Sequence, residues 1–212
     1  MRLFRRSRGQ QVYEGNVQAL LQRLVRPGWV CADVGAYQGE ITRLLAALVG
    51  ETGRVVAFEA HPATAAALQA ALAGQANVLV EAVAVAAEES EATLYAGRPG
   101  LPSEWNLRGF DVEGDPAEAL GTVHTVSLDS YFGDRLVNLV KIDVEGAEGL
   151  VFAGMPALLR QQRPHLVIEF HDEACWAARR LLVEAGYTLL TTEGVPIAAD
   201  AERVYHVHAD PG

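Results

Sequence analysis

Trp29-Val30-Cys31-Ala32-Asp33-Val34-Gly35-Ala36-Tyr37-Gln38-Gly39 runs from an apolar stretch straight into a turn bearing two glycines. A short apolar run of this kind reads as a strand buried on both faces. The glycines permit a tight turn and let a ligand approach the backbone. From Glu40 to Val49 the apolar spacing becomes helical. The start of a helix offers unpaired N–H donors to an anionic group. Arg54 to Glu59 is a second strand, ending in a carboxylate 20 positions after Gly39. An acid at that place can accept both hydroxyls of a ribose.

The same alternation extends in both directions. Gln11 to Val25 shows helical spacing, stopped by Pro27-Gly28. Pro62 fits a first helical position, and the alanine-rich run to Ala73 favours a helix. Asn77 to Val83 is a third strand and Leu139 to Val144 a fourth core strand. A helix follows over 148–161, interrupted near Pro156, and His165 to Phe170 is a fifth core strand. Asp172 to Ala185 is a helix closed by Gly186. Tyr187 to Thr192 and Arg203 to His208 can form an antiparallel pair. The middle breaks this rhythm. Between strand-like runs at 92–96 and 123–128, residues 97–121 are rich in Gly, Pro and acids, with isolated Trp105 and Phe110. A long excursion of this kind suits a loop on the acceptor side of a site. The pattern predicts an α/β, Rossmann-like fold. Its sheet would be mostly parallel and seven-stranded, with a C-terminal antiparallel pair. Ligands on such sheets bind at the carboxyl ends of the strands.

The 212 residues fit one domain, 1–212, with 1–10 as a basic tail. A formal net charge of −10 argues against nucleic acid and anionic membrane as partners, because phosphates need Lys and Arg to replace their counterions. No stretch is apolar enough to span a bilayer. The two cysteines, Cys31 and Cys175, form no disulfide framework or zinc motif, which suits a reducing, cytoplasmic setting.

The turn alone does not separate a nicotinamide dinucleotide from S-adenosylmethionine. Asp33 before the first glycine does, because an acid there suits a cationic amino acid end and would face a pyrophosphate badly. The candidate cofactor residues are Asp33, Gly35, Ala36, Tyr37, Gly39, Glu59, Ala60 and His61, with Ala82, Val83 and Asp143.

A second motif, Leu139-Val140-Lys141-Ile142-Asp143-Val144-Glu145-Gly146-Ala147-Glu148, sets four ionisable residues behind a buried strand. The fifth strand brings Glu169 and His171 to the same edge. In the combination DVGAYQG, FEAHP, SLDSYF, VKIDVEGAEGLVFAGM and RPHLVIEFH, from about Glu14 to His171, the chain resembles the FkbM-type class I methyltransferases. The resemblance implies adenosylmethionine as methyl donor. It also implies O-methylation of a hydroxyl on a sugar, polyketide or other small molecule. Tyr37 and Ala60 depart from the pattern, where the family more often has Asn and Pro. The 97–121 region shows little match, so the acceptor does not carry over.

Methyl transfer needs donor and acceptor in line, about 3 Å apart, and a group to take the acceptor's proton. His171 is the first candidate base, because an unperturbed imidazole titrates near neutral. A cap on the next helix is its other role. Asp143 and Glu169 are the further catalytic candidates, and Lys141 is expected to pair with an acid. The last two acids could instead hold a divalent metal, although the resemblance does not require one. Glu148 is read as an acid favoured at a helix start, His61 as a turn residue before Pro62, and Asp129 as a helix cap. Two other functions remain open on the residues alone: a nicotinamide-dependent oxidoreductase and a non-catalytic nucleotide-binding module.

Overall fold

The computed structural model describes residues 8–96, 105–107 and 117–212. Helix α1 (Arg8–Leu24) leads into β1 (Val30–Val34), α2 (Glu40–Val49) and β2 (Arg54–Phe58). The chain continues through α3 (Pro62–Leu72), β3 (Val78–Glu81), β4 (Ala84–Val85), β5 (Ser90–Ala96) and β6 (Trp105–Asn106). Then come β7 (Ala119–Val126), α4 (Leu128–Phe132), β8 (Leu139–Ile142) and α5 (Glu148–Ala153). A π-helical turn (Leu158–Gln162), β9 (His165–Glu169), α6 (Glu173–Ala178), α7 (Arg180–Glu184), β10 (Thr188–Leu190) and β11 (His206–Asp210) complete it.

Seven strands form one sheet in the order β10-β11-β9-β8-β1-β2-β3. β3, β2, β1, β8 and β9 are parallel, and β11 and β10 close the far edge in antiparallel pairs. Strand alternation sorts the side chains onto two faces. Ala32, Val34, Val140, Ile142, Leu166 and Ile168 pack on one side, against residues of α4 to α7. Cys31, Val55, Leu139 and Val167 pack on the other, against α1 and α2. Both faces are covered, as near-continuous apolar strands require. The order reverses at β1, whose chain continuation runs outward to β2 while β8 lies on its other side. That reversal opens a crevice at the carboxyl edge.

The excursion is corrected by a second sheet, ordered β4-β7-β5-β6. β7 starts at Ala119 and pairs antiparallel with β5, with a register shift at Leu94/Tyr95. Trp105 and Asn106 are a strand as well. The sheet is one-sided, since in β7 only Val123 and Thr125 are buried, and so it lacks the apolar density that marks the main sheet. Phe110 and residues 1–7 lie outside the described residues; residues 8–10 of the expected tail already belong to α1.

Three local expectations shift. The helix expected over 172–185 is divided at Arg179 into α6 and α7. The final strand sits at His206–Asp210 rather than 203–208. Asp129 is not the cap of α4: Ser127 accepts the Ser130 N–H, and Asp129 accepts the N–H groups of Ala157 and Leu158 at 2.7 and 2.8 Å. Its carboxylate thereby starts the turn after Pro156 rather than its own helix. Both cysteines are buried, and neither is in a disulfide. Among the described residues, no helix is long and apolar enough to cross a membrane.

Candidate functional site

The carboxyl ends of β1, β2, β8 and β9 open on a cleft of about 900 Å³, within the size range of small-molecule and cofactor sites. Its floor is the glycine turn. Gly35 has φ +82°, and a Cβ there would stand 1.7 Å from the Asp143 carbonyl oxygen. The turn after β1 and the turn after β8 therefore lie backbone to backbone, which only glycine allows. Gly35 and Ala36 each donate an N–H to the Phe58 carbonyl at 3.0 Å, tying the turn to the end of β2.

Glu59 is 3% exposed. Its two carboxylate oxygens accept the N–H groups of Tyr37 at 2.8 Å and His61 at 2.9 Å. Each oxygen keeps a further lone pair for a ligand hydroxyl. Burial raises the carboxyl pKa, opposed by those two N–H groups. Tyr37 sits at φ +47°, an uncommon place for a side-chain-bearing residue, and that geometry is what turns its N–H onto Glu59. Asp33 is fully buried. Its Oδ2 accepts the Thr42 hydroxyl at 2.6 Å, whereas Oδ1 has no partner. Burial raises its pKa, and Lys141 opposes that rise.

The opposite wall holds the ionisable cluster. Lys141 Nζ donates to Asp143 Oδ2 at 2.7 Å, so the expected pairing is present. Burial works against the ammonium, but Asp143, Asp33 and Glu169 outweigh it and raise its pKa. His171 is the hub. Nδ1 lies 2.7 Å from Glu148 Oε1, and Nε2 lies 3.3–3.5 Å from carboxylate oxygens of Glu145, Glu169 and Asp143. Burial disfavours the imidazolium, yet these carboxylates push its pKa to about 11. The surrounding carboxylates thus favour the imidazolium form of His171, which runs against the expectation of a near-neutral base. Nor is it the cap of α6, a role taken by Asp172, which accepts the Cys175 N–H at 2.7 Å. Glu148 does start α5, as expected, but its larger task is holding His171. Its pKa ends below the ordinary range because His171 overcomes the cost of burial. The pair suggested as metal ligands, Asp143 and Glu169, both approach His171 Nε2, at 3.5 and 3.4 Å.

Several expected cofactor residues line the cleft: Asp33, Gly35, Ala36, Tyr37, Glu59, Ala60, Val83 and Asp143. Gly39, His61 and Ala82 do not. Gly39 packs near Leu68 behind the turn. The His61 ring caps α3 by accepting the Thr64 N–H. Ala82 is exposed in the link between β3 and β4, where Val83 lines the cleft instead.

Other lining residues carried no usable signal in the sequence. Val17 and Gln18 come from α1, and Leu94, Asn106 and Leu107 from the second sheet. Arg203, Tyr205 and His206 come from the segment around β11. His206 Nε2 meets Glu169 Oε2 at 3.0 Å. The antiparallel register places His206 opposite Glu169, and that pairing was legible once the direction of β11 was known. Burial raises the Tyr205 phenol, and Glu169 raises it further.

This strand order and this cleft define the fold of class I S-adenosylmethionine-dependent methyltransferases. A family model for the methyltransferase FkbM domain matches residues 33–189, and the chain belongs to that family. Its structure is similar to methyltransferase FkbM from Methylobacillus flagellatus KT (14% identity, TM-score 0.58), covering 95% of this chain and 59% of that one. This chain thus spans less than two thirds of that relative. It is also similar to precorrin-6y C5,15-methyltransferase from Geobacter metallireducens GS-15 (15% identity, 99% and 92% covered, TM-score 0.53). A third likeness is to Aeropyrum pernix fibrillarin, in complex with natively bound S-adenosyl-L-methionine (12% identity, 92% and 74% covered, TM-score 0.53). At these identities the likeness is one of fold. No curated protein matches the chain in sequence.

Proposed function

We propose that this chain is an S-adenosylmethionine-dependent O-methyltransferase whose acceptor is a hydroxyl on a neutral, polyhydroxylated small molecule. The observation that carries the reading is the position of Asp143. Its backbone touches the glycine turn, and its carboxylate stands in the cleft beside Glu145 and Glu169.

The residues present fit the cofactor. Asp33 holds a buried, unpartnered carboxylate oxygen at the cleft, suited to an amino cation. Glu59 is pre-oriented by two N–H donors and has lone pairs left for a ribose diol. Gly35 lets the glycine turn lie directly against the Asp143 backbone, where any Cβ would clash. Val83, Ala84 and Val85 offer an apolar wall for a flat base. When bound, the cofactor supplies a methyl group already activated on a sulfonium, so no nucleophilic serine or cysteine is needed.

The chain's own residues then bind the acceptor and take its proton. Asp143 is the proton acceptor. Its Oδ2 is engaged by Lys141, while Oδ1 is 3.5 Å from His171, too long for a firm hydrogen bond. His171, being charged, cannot share that task; it holds Glu145, Glu169 and Asp143 together and positions them. Glu169 fixes the His206 ring at the same wall. Carboxylates of this density accept hydrogen bonds from hydroxyls and repel phosphates, so a sugar or polyketide hydroxyl fits better than a nucleic acid.

Methyl-labelled adenosylmethionine tests this with a panel of glycosides, polyketide alcohols, amines and structured RNA. The expected product is an alkali-stable methyl ether on a hydroxylated small molecule. Labelled RNA, or a labelled amine in place of an ether, would overturn the acceptor assignment.

A further inference from the structure

The register of β9 and β11 gives them a shared face, on which His206, His208 and Asp210 stand beside Glu169, Val167 and His165. His206 and Glu169 serve the cleft. The other end of this face lies at the opposite edge of the sheet, about 13 Å along the strand at the usual rise per residue. There His165 Nδ1 is 3.2 Å from His208 Nε2 and 3.7 Å from Asp210 Oδ1. One ligand atom from each of the three residues falls within 4.8 Å of the others.

We propose that His165, His208 and Asp210 bind a divalent transition-metal ion of the zinc class, with water completing the coordination. Nitrogen and oxygen ligands at about 2.0–2.2 Å from a tetrahedral ion stand roughly 3.3–3.6 Å apart. The two observed spacings bracket that range. A hydrogen bond between the rings explains the shorter spacing. It does not involve Asp210, whose Oδ1 stands 3.7 Å from the same ring nitrogen, beyond hydrogen-bond range. A shared ion accounts for all three groups. Two imidazoles and one carboxylate are also the donor types that select such ions over magnesium or calcium.

The ligands are held in place before any ion arrives. Trp29 stacks on the His165 ring, with centroids 5.7 Å apart and planes at 16°. Asp210 Oδ1 accepts the Gly212 N–H at 3.3 Å. Arg163 pins the following residue by donating to the Pro211 carbonyl, and it reaches the Ala185 carbonyl at 2.8 Å. His208 is buried, whereas His165 and Asp210 are partly exposed, so an ion has both a fixed floor and a way in. Bound there, it ties β11 to β9 at the edge where β11 and β10 are the last strands of the sheet. The site is structural and separate from methyl transfer.

The test uses untagged full-length protein and zinc chloride, with metal retained after dialysis and melting temperature as readouts. One equivalent is expected to remain, and the melting temperature to rise with added zinc. Asp210→Asn, at a partly exposed position that tolerates the change, should weaken zinc binding by about tenfold or more, as should His208→Ala. Glu145→Gln, in the cleft's own Asp143, Glu145 and His171 cluster, should leave it unchanged. The proposal is overturned if wild type retains no zinc, if Asp210→Asn binds as well as wild type, or if binding is lost in Glu145→Gln.

Discussion

Replacing His171 with glutamine is expected to lower folding stability by about 3–5 kcal/mol at pH 7, the range found when one partner of a buried ion pair is removed. The imidazolium is the cation on which Glu148, Glu145, Glu169 and Asp143 converge. Without it, fully buried Glu148 loses its 2.7 Å partner, and its second oxygen is already unpartnered. The pH dependence has a definite sign. The His171 pKa is raised from 6.5 to about 11 on folding. Its contribution is therefore complete below about 6.5 and declines as pH rises toward 11. Glu148 and Glu169 are shifted the other way. Their contribution is present above the ordinary glutamate range and is lost as pH falls through it. Melting curves from pH 5 to 10 should show wild type losing stability above pH 6.5 and His171→Gln lacking that slope. A variant within about 1 kcal/mol of wild type would remove the hub from the account. Glu148→Gln added to His171→Gln should cost less than the sum of the two changes, because the carboxylate left stranded by the first is neutralised by the second.

Asp143→Asn is expected to lower kcat by about 10²–10⁴, the usual contribution of a positioned general base, with adenosylmethionine affinity little changed. Asparagine keeps the size and can still accept from Lys141, but it cannot take a proton. No limb of the rate profile near pH 6.5 should trace to His171, because that ring is already charged there. Turnover within threefold of wild type would exclude Asp143 from proton transfer.

The main sheet was legible because its strands are apolar on both faces and its turns carry glycine, proline or an acid at the strand end. Residues 29–59 alone imply the β-α-β unit, and Glu59 stands where the strand end puts it. The cluster was legible as Lys141, His171 and several acids at one sheet edge, but not as a set of contacts. No spacing rule reveals that the short segment from Asp143 to Glu148 folds over so that Asp143, Glu145 and Glu148 face one imidazole and favour its charged form. The second sheet was hidden for a different reason. A one-sided sheet of short strands alternates too weakly to stand out, and its Leu94 and Asn106 reach the cleft only through long-range pairing. Tyr205 and His206 belong to a strand whose direction decides their placement, and a sequence pattern carries no direction.

The most direct test is calorimetric titration of the purified chain with adenosylmethionine, adenosylhomocysteine and NAD, alongside Glu59→Gln. The account predicts saturable one-to-one binding of the first two ligands and none of NAD. It also predicts a loss of about 10–100-fold in the variant, equivalent to about 1.5–3 kcal/mol for hydrogen bonds to a charged group. Saturable binding of NAD alone, or a Glu59→Gln variant that binds adenosylmethionine as tightly as wild type, would contradict it.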